Sequence, residues 1–265
     1  VLEAVRGQGR APALATGARP ARLADDRQLG TARSWPDVAE AHVWWMPADS
    51  APANEATVAS WLDDGEQARA ECFRFELDRA RFVRRHAFVR RLLAAYLDIP
   101  PGAVTIHHTP LGRPVLDPSC GISFNVSQAG ELTVVAVTRD RDVGVDIERV
   151  RPLDEALDIA RAWFSPQDVA VLLAMPRARR SLAFLSLWTR QEALTKALGG
   201  GLSIPLDSFD GVANDRHAGG RLYRSHGGQL LATSELETPA GYVGALAVCG
   251  AQVRVRNMGS VVAER

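Results

Sequence analysis

Two acidic residues alternate with apolar side chains in the run Val143–Glu148. In a strand this alternation places Asp146 and Glu148 on one face, about 7 Å apart. Carboxylates at that spacing can lean towards one hard cation, and magnesium prefers oxygen ligands. A solvated polar face, neutralised by Arg149 and Arg151, is the alternative that the pair alone leaves open.

A third acid lies further along the chain in a pattern typical of a helix. Glu192 and Lys196 are four residues apart, so a helix would put them on the same face. The pair indicates either an ordinary surface ion pair or a metal-binding carboxylate beside an ammonium group that contacts a phosphate. Its spacing alone does not separate these alternatives.

Two turns carry groups suited to phosphate. The run Leu111–Pro114 joins a glycine, which permits close approach, to Arg113, which can bind a phosphate with two donors. The run 123–130 ends a strand with hydroxyl and amide groups, those of Asn125, Ser127 and Gln128. A plain β-turn and a plain strand end explain the same residues equally well.

A basic helix face precedes these turns. Its arginines suit a phosphate, a partner protein or simply water, and a solvated face is the commonest case. They are Arg69, Arg81, Arg84 and Arg85.

The surrounding pattern predicts the elements that must position these residues. Apolar spacing indicates one long or broken helix over 64–97, a helix over 153–164, another beginning after Ser165, and a fourth over 181–198. Short strands are predicted over 41–47, 104–107, 113–116, 121–126, 131–138, 144–149, 208–212, 229–234 and 242–248.

This order predicts an α+β chain of two similar halves. We expect a flexible leader over 1–36, an N-terminal half over 37–140, a C-terminal half over 141–252 and a tail over 253–265.

Composition excludes several classes. The 265 residues carry 31 basic and 31 acidic side chains, which gives no support to broad nucleic-acid binding. No apolar run is long enough to span a bilayer. Three cysteines far apart in the chain predict free thiols in a cytoplasmic protein rather than disulfides or a zinc site.

Taken in order, these motifs resemble the 4′-phosphopantetheinyl transferases of the larger, monomeric, surfactin-synthetase-activating type. The resemblance covers about 44–248, and the two acidic motifs at their separation are its specific part. The matching runs are Leu111–Pro114, Phe124–Ser127, Val143–Glu148, Phe164–Asp168, Trp188–Lys196 and Gly201–Phe209.

The resemblance implies two pseudo-twofold-related α/β halves, each a small, mainly antiparallel sheet packed against a long helix, with coenzyme A in the cleft between them. It implies that magnesium is held by Asp146, Glu148 and Glu192. It also implies that coenzyme A is bound by Arg69, Arg113, Pro114, Asn125, Ser127, Gln128, Asp146 and Lys196.

The implied reaction moves the 4′-phosphopantetheine arm of coenzyme A to a serine of an acyl or peptidyl carrier protein, with Asp146, Glu192 and Lys196 as catalytic residues. Such enzymes serve polyketide and nonribosomal peptide synthesis, including antibiotic biosynthesis. Two other hypotheses are a non-catalytic carrier-binding homologue and a magnesium-dependent hydrolase of nucleotide pyrophosphates.

Three residues depart from the family pattern. Gln128 stands where the family usually has histidine, Gln191 where it has lysine, and Asp168 where it prefers glutamate. Gln128 can donate a neutral hydrogen bond but brings no positive charge to the nucleotide's 3′-phosphate.

Overall fold

The computed structural model describes residues 23–24, 35–48, 55–212 and 220–261. Twelve strands lie in this part of the chain: β1 Leu23–Ala24, β2 Glu40–Pro47, β3 His107–His108, β4 Pro114–Val115, β5 Ile122–Ala129, β6 Leu132–Arg139, β7 Val143–Arg149, β8 Phe209–Gly211, β9 Gly220–Ser225, β10 Leu230–Glu235, β11 Tyr242–Cys249 and β12 Arg254–Val261. The α-helices there are α1 Glu55–Ala59, α2 Asp64–Glu71, α3 Glu76–Leu97, α4 Ala156–Trp163, α5 Pro166–Ala174 and α6 Arg177–Ala197. Short 3₁₀ turns cover Pro101–Ala103, Pro118–Cys120 and Gly201–Ser203.

The first sheet has the strand order β1-β12-β2-β6-β5. Strands β2, β6 and β5 pair antiparallel, while β12 joins β2 in parallel. Helix α3 covers this sheet, and its Leu92 and Leu93 are buried against Trp44 and Phe124. The sequence assigned no strand to the tail over 253–265, yet β12 from that region extends the sheet of the N-terminal half.

The second sheet has the order β7-β11-β10-β9-β8, and every pairing in it is antiparallel. Helix α6 packs on β7 and β11, where its Ala193, Leu194 and Ala197 are buried beside Ala245 and Ala247. The predicted α+β class, with two small sheets and a long helix on each, is therefore confirmed.

Apolar side chains from both sheets form a shared core. Val43 and Trp45 of the first sheet lie in one cluster with Val145, Ile147 and Leu246 of the second. Strands β5 and β7, the neighbouring edges of the two sheets, come together beside this core.

The predicted long helix over 64–97 is broken into α2 and α3. Asp63 caps α2 in a capping box with Glu66, which fixes where that helix begins. Buried Arg90 of α3 contacts both carboxylates, and it also donates to the carbonyl of Val104. This cluster ties the two helices together across the break.

Three further expectations concern the chain as a whole. Within the described ranges, no helix combines the length and apolarity needed to cross a membrane. Cys72, Cys120 and Cys249 are free thiols, as predicted. The expected leader over 1–36 lies almost wholly outside the described residues.

Candidate active site

Strand β7 presents its acids to helix α6. Val145 and Ile147 point into the core between the sheets, so the alternate side chains Asp146 and Glu148 occupy the other face. These two residues are 5% and 9% exposed. The predicted placement on one face is confirmed, but the face is buried rather than solvated.

Gly144 lets the helix come down directly on the strand. A Cβ at this position would lie 2.1 Å from the Ala193 carbonyl oxygen and 2.5 Å from the Ala197 amide nitrogen. Only glycine fits such an approach. The contact sets Lys196 Nζ 2.6 Å from Asp146 Oδ1 and 3.1 Å from the carbonyl oxygen of Val145, to both of which it donates.

Two polar side chains of β5 join the sheets. Asn125 Oδ1 accepts from the Val145 amide at 2.9 Å, and Ser127 Oγ accepts from the Ile147 amide at 3.3 Å. The Ser127 hydroxyl donates to Asp146 Oδ1 at 2.8 Å. Asn125 and Ser127 thus accept hydrogen bonds from backbone amides at the edge of β7, and Ser127 also orients Asp146. Their contact with phosphates stays a prediction.

Glu192 has no ion-pair partner at salt-bridge distance among the described residues. It lies one turn before Lys196 and is 1% exposed, and its Oε1 has no hydrogen-bond partner within the described chain. Burial raises the pKa of Glu192 to about 7, and the charge of Asp146 adds to this while Lys196 opposes it. A carboxyl group with this pKa is partly protonated at neutral pH.

Glu148 is held by a neighbouring arginine. Arg151 Nη1 donates to Glu148 Oε2 at 3.0 Å. Burial raises the pKa of Glu148, and the Arg151 hydrogen bond acts against that shift. The sequence left open a solvated face that Arg149 and Arg151 neutralise. Arg151 does pair with Glu148, but Glu148 is buried rather than solvated.

The donor chemistry of this site suits a hard cation. Three carboxylates border it, and one of them has a buried oxygen with no partner among the described residues. In the described ranges, no group of three His, Cys, Asp or Glu side chains is placed to hold a metal ion. Lys196 and Arg151 form ion pairs with two of the acids. Convergence of Asp146, Glu148 and Glu192 on one ion stays a prediction.

Two of the departures from the family pattern contact each other. Gln191 Nε2 donates to Asp168 Oδ2 at 3.2 Å, and the Ser165 hydroxyl donates to the same oxygen at 2.9 Å. Ser165 also accepts from the Asp168 amide, as the cap of α5. A neutral amide therefore joins α6 to α5 beside Glu192.

The third departure lies on the opposite face of β5. Arg85 of α3 donates from Nη1 to Gln128 Oε1. Arg69 and Arg85 each have the guanidinium carbon 5.7 Å from the centre of the Phe82 ring. The predicted basic helix face therefore reaches the end of the strand that carries Ser127.

Arg113 lies beside the start of β7. Its Nη2 donates to Asp142 Oδ1 at 2.9 Å, and its backbone amide donates to Thr109 Oγ1. Pro114 begins the short strand β4 directly after it. The structure places both residues beside the start of β7, and their contact with the adenine end stays a prediction.

Sequence reasoning missed one residue and one contact that shape the site. Gly144 stands between two buried valines of a strand, which is a signal of close backbone approach. The link from Arg85 to Gln128 joins residues 43 apart in the chain and has no local signal.

Comparison with known proteins gives matches to one family. A family model described as the 4′-phosphopantetheinyl transferase superfamily matches residues 142–247, and one described as 4′-phosphopantetheinyl transferase, N-terminal, matches residues 44–140. The 4′-phosphopantetheinyl transferase HetI of Nostoc sp. is 32% identical over 62% of this chain and 70% of its own length. The 4′-phosphopantetheinyl transferase Sfp of Bacillus subtilis is 29% identical over 70% of this chain and 81% of its own length.

A crystal structure of a holo-(acyl-carrier-protein) synthase from Bacillus anthracis str. Ames, in complex with CoA (3′,5′-ADP), is more distant. It covers 41% of this chain and 94% of that chain, with 16% identity and a TM-score of 0.34. That likeness is too weak to bear on the site. The two family models and the match to HetI are sufficient: the chain belongs to the 4′-phosphopantetheinyl transferase superfamily.

Proposed function

We propose that this chain transfers the 4′-phosphopantetheine arm of coenzyme A to a serine hydroxyl of an apo acyl or peptidyl carrier protein, releasing 3′,5′-ADP. One observation carries the proposal beyond family membership. Where β5, β7 and α6 meet, the Lys196–Asp146 ion pair lies beside Glu192, a buried carboxylate whose Oε1 has no hydrogen-bond partner among the described residues. Phosphoryl transfer needs such a combination of fixed charge and one available base.

The serine oxygen of the carrier protein forms a bond to the β-phosphorus of coenzyme A. The bond from that phosphorus to the bridging oxygen breaks, and this oxygen leaves as part of 3′,5′-ADP. Glu192 accepts the serine proton, directly or through a water molecule. Lys196 offsets the charge that develops on the leaving phosphate.

Magnesium is the cofactor that this donor set fits. Asp146, Glu148 and Glu192 would hold the ion, which supplies charge neutralisation for pyrophosphate oxygens when bound. Ser127 keeps the Asp146 carboxylate oriented through its 2.8 Å hydrogen bond. The reaction is proposed for a cytoplasmic monomer, and the free thiols of the chain are consistent with that compartment.

The proposal is tested by incubating the protein with coenzyme A, magnesium and a panel of apo carrier proteins. A mass gain of one phosphopantetheine arm on a carrier serine supports it. Asp146→Ala and Glu192→Ala should each lower the loading rate by at least about 100-fold. Asp158→Ala removes a carboxylate that is 79% exposed on α4 and should leave the rate unchanged.

Two outcomes would contradict the proposal. Coenzyme A cleaved at the same rate without any carrier protein would indicate a nucleotide pyrophosphate hydrolase. Carrier proteins that bind but never gain mass, with every carrier tried, would indicate a non-catalytic homologue.

A further inference from the structure

We propose that Arg151 pairs with Glu148 only in the metal-free protein and leaves it when the cation binds, so that this arginine competes with the ion instead of helping to hold it. The inference rests on the proposed function and deepens it, because the ion is the one assigned there to the three acids. Arg151 itself has no part in the proposed reaction.

Arg151 reaches Glu148 from outside the strand that carries the acid. Strand β7 ends at Arg149, and Arg151 lies in the connection that precedes α4. Its Nη1 donates to Glu148 Oε2 at 3.0 Å and to the carbonyl oxygen of Arg149 at 3.1 Å. The side chain of Arg151 is 24% exposed, so it already borders the solvent into which it would move.

The second terminal nitrogen of Arg151 is poorly placed. Nη2 is buried and has no hydrogen-bond partner among the described residues. A buried donor without an acceptor costs free energy, and the attraction of Glu148 offsets that cost. A divalent cation on Glu148 would end this compensation and would also repel the guanidinium group. Arg151 would then be more stable in water, where both terminal nitrogens find acceptors.

The arginine has its own use while no ion is bound. Asp146 and Glu148 lie on one buried face of β7, where two negative charges disfavour each other. Lys196 pairs with the first acid, and Arg151 pairs with the second. The two side chains thus supply, in the metal-free protein, the positive charge that a divalent cation would bring.

An arginine beside a metal ligand can also act in the opposite way, by orienting the carboxylate towards the ion. The placement of the acids disfavours that role. Arg151 holds Glu148 and a lysine holds Asp146, and in this arrangement the described part of the chain has no group of three carboxylate, imidazole or thiol side chains placed to hold a metal. An orienting arginine would already hold Glu148 where it could share the ion with Glu192. Glu148 has to turn, and release from Arg151 permits that.

Metal binding to the protein alone tests the inference without catalysis. Chelator-treated protein would be titrated with Mn²⁺, which takes the same oxygen ligands as Mg²⁺, and electron paramagnetic resonance would measure the free ion. Arg151→Met should bind Mn²⁺ about 10-fold more tightly than the unmodified protein, because a charge-assisted hydrogen bond no longer has to be broken. An orienting arginine predicts the opposite sign, a loss of about 10- to 100-fold.

Arg149→Met is the matched control. It removes the same charge two residues away, but Arg149 is exposed and, as the residue that follows Glu148 in the strand, points to the opposite face. Its Mn²⁺ affinity therefore measures the general effect of losing one positive charge, and Arg151→Met should exceed it. Equal affinities in the two variants, or weaker binding by Arg151→Met than by the unmodified protein, would overturn the inference.

Unfolding in urea gives a second measurement. An ion that binds only the folded state stabilises it more when it binds more tightly, so Mg²⁺ should raise the urea midpoint of Arg151→Met by more than that of the unmodified protein. An equal rise in both would contradict competition.

The outcomes also separate this inference from the proposed function. Tighter Mn²⁺ binding by Arg151→Met in a protein that loads no carrier would support the inference while the proposed function fails. A protein that loads carriers, but whose Mn²⁺ affinity Arg151→Met does not raise, would lose this inference alone. Absence of binding by either ion in every variant would contradict the inference together with the assignment of the metal.

Discussion

A Cβ atom placed on Gly144 would lie 2.1 Å from the carbonyl oxygen of Ala193, so strand β7 and helix α6 touch backbone to backbone. This contact brings an acid of the strand and a lysine of the helix within hydrogen-bonding distance. The geometry of the proposed active site therefore depends on the glycine at position 144 as well as on the charged residues.

Gly144→Ala is expected to separate α6 from β7. The added methyl group meets backbone atoms on the helix, which cannot move aside as a side chain can, and overpacking of this kind costs about 1–3 kcal/mol or more. We expect a lower free energy of unfolding in urea and slower carrier loading. Gly211→Ala is the matched control, since a Cβ there meets nothing within 4 Å. Equal stability of the two variants would show that the close approach is not rigid.

The stability of the protein without metal should depend on pH through Glu192. Its pKa is raised from 4.5 to about 7, so the folded state holds this proton more tightly than the unfolded state. The associated stability is complete below pH 4.5 and is lost as pH rises towards 7. Glu192→Gln imitates the protonated form, so it should gain stability relative to the unmodified protein as pH rises, on the order of 3 kcal/mol by pH 8.

Urea unfolding with a chelator present, at intervals from pH 5 to pH 8, measures this difference. The exposed Glu71 provides the control substitution Glu71→Gln, for which we expect no such trend. A gap between Glu192→Gln and the unmodified protein that stays constant over this range would show that burial does not hold the proton on Glu192.

The sequence predicted the elements better than their junction. Alternation in β7 and helical spacing around Glu192 are local patterns, and both elements formed as predicted. By contrast, β12 pairs with β2, which lies more than 200 residues earlier in the chain, and no local sequence pattern predicts this pairing. The roles of Asn125 and Ser127 at the edge of β7 likewise depend on how the two sheets meet, which composition and periodicity do not encode.

Arg90 is expected to stabilise the fold without taking part in catalysis. It is 1% exposed, and its guanidinium contacts the carboxylates of Asp63 and Glu66 that cap α2. Arg90→Met leaves these acids without their cation. Because Asp63 is 48% exposed and Glu66 is 15% exposed, water partly replaces the arginine, and we expect a cost of about 1–3 kcal/mol. We expect a large fall in urea midpoint, while loading activity per folded molecule is kept at low temperature.

An exposed ion pair gives the comparison for Arg90. Arg161 is 57% exposed and pairs with Asp158 on α4, so Arg161→Met should cost at most about 1 kcal/mol. If both arginine variants lost the same small amount, the link between α2 and α3 would contribute little to the fold.

Exposed apolar side chains on α4 and α5 are expected to contact the carrier protein. Trp163, Val171 and Leu173 are 42%, 48% and 49% exposed, and α5 is linked to the acidic site through the Asp168–Gln191 hydrogen bond. Replacing Val171 and Leu173 together by alanine removes apolar area that a partner would bury, so KM for the carrier should rise by roughly 10-fold. KM for coenzyme A should stay the same, because these side chains face solvent.

Val38, which is 54% exposed on the first sheet's side of the molecule, supplies the control Val38→Ala. Steady-state loading with carrier and coenzyme A varied in turn separates the two constants, and a carrier KM that is equal in the double variant and the control would place the docking surface elsewhere.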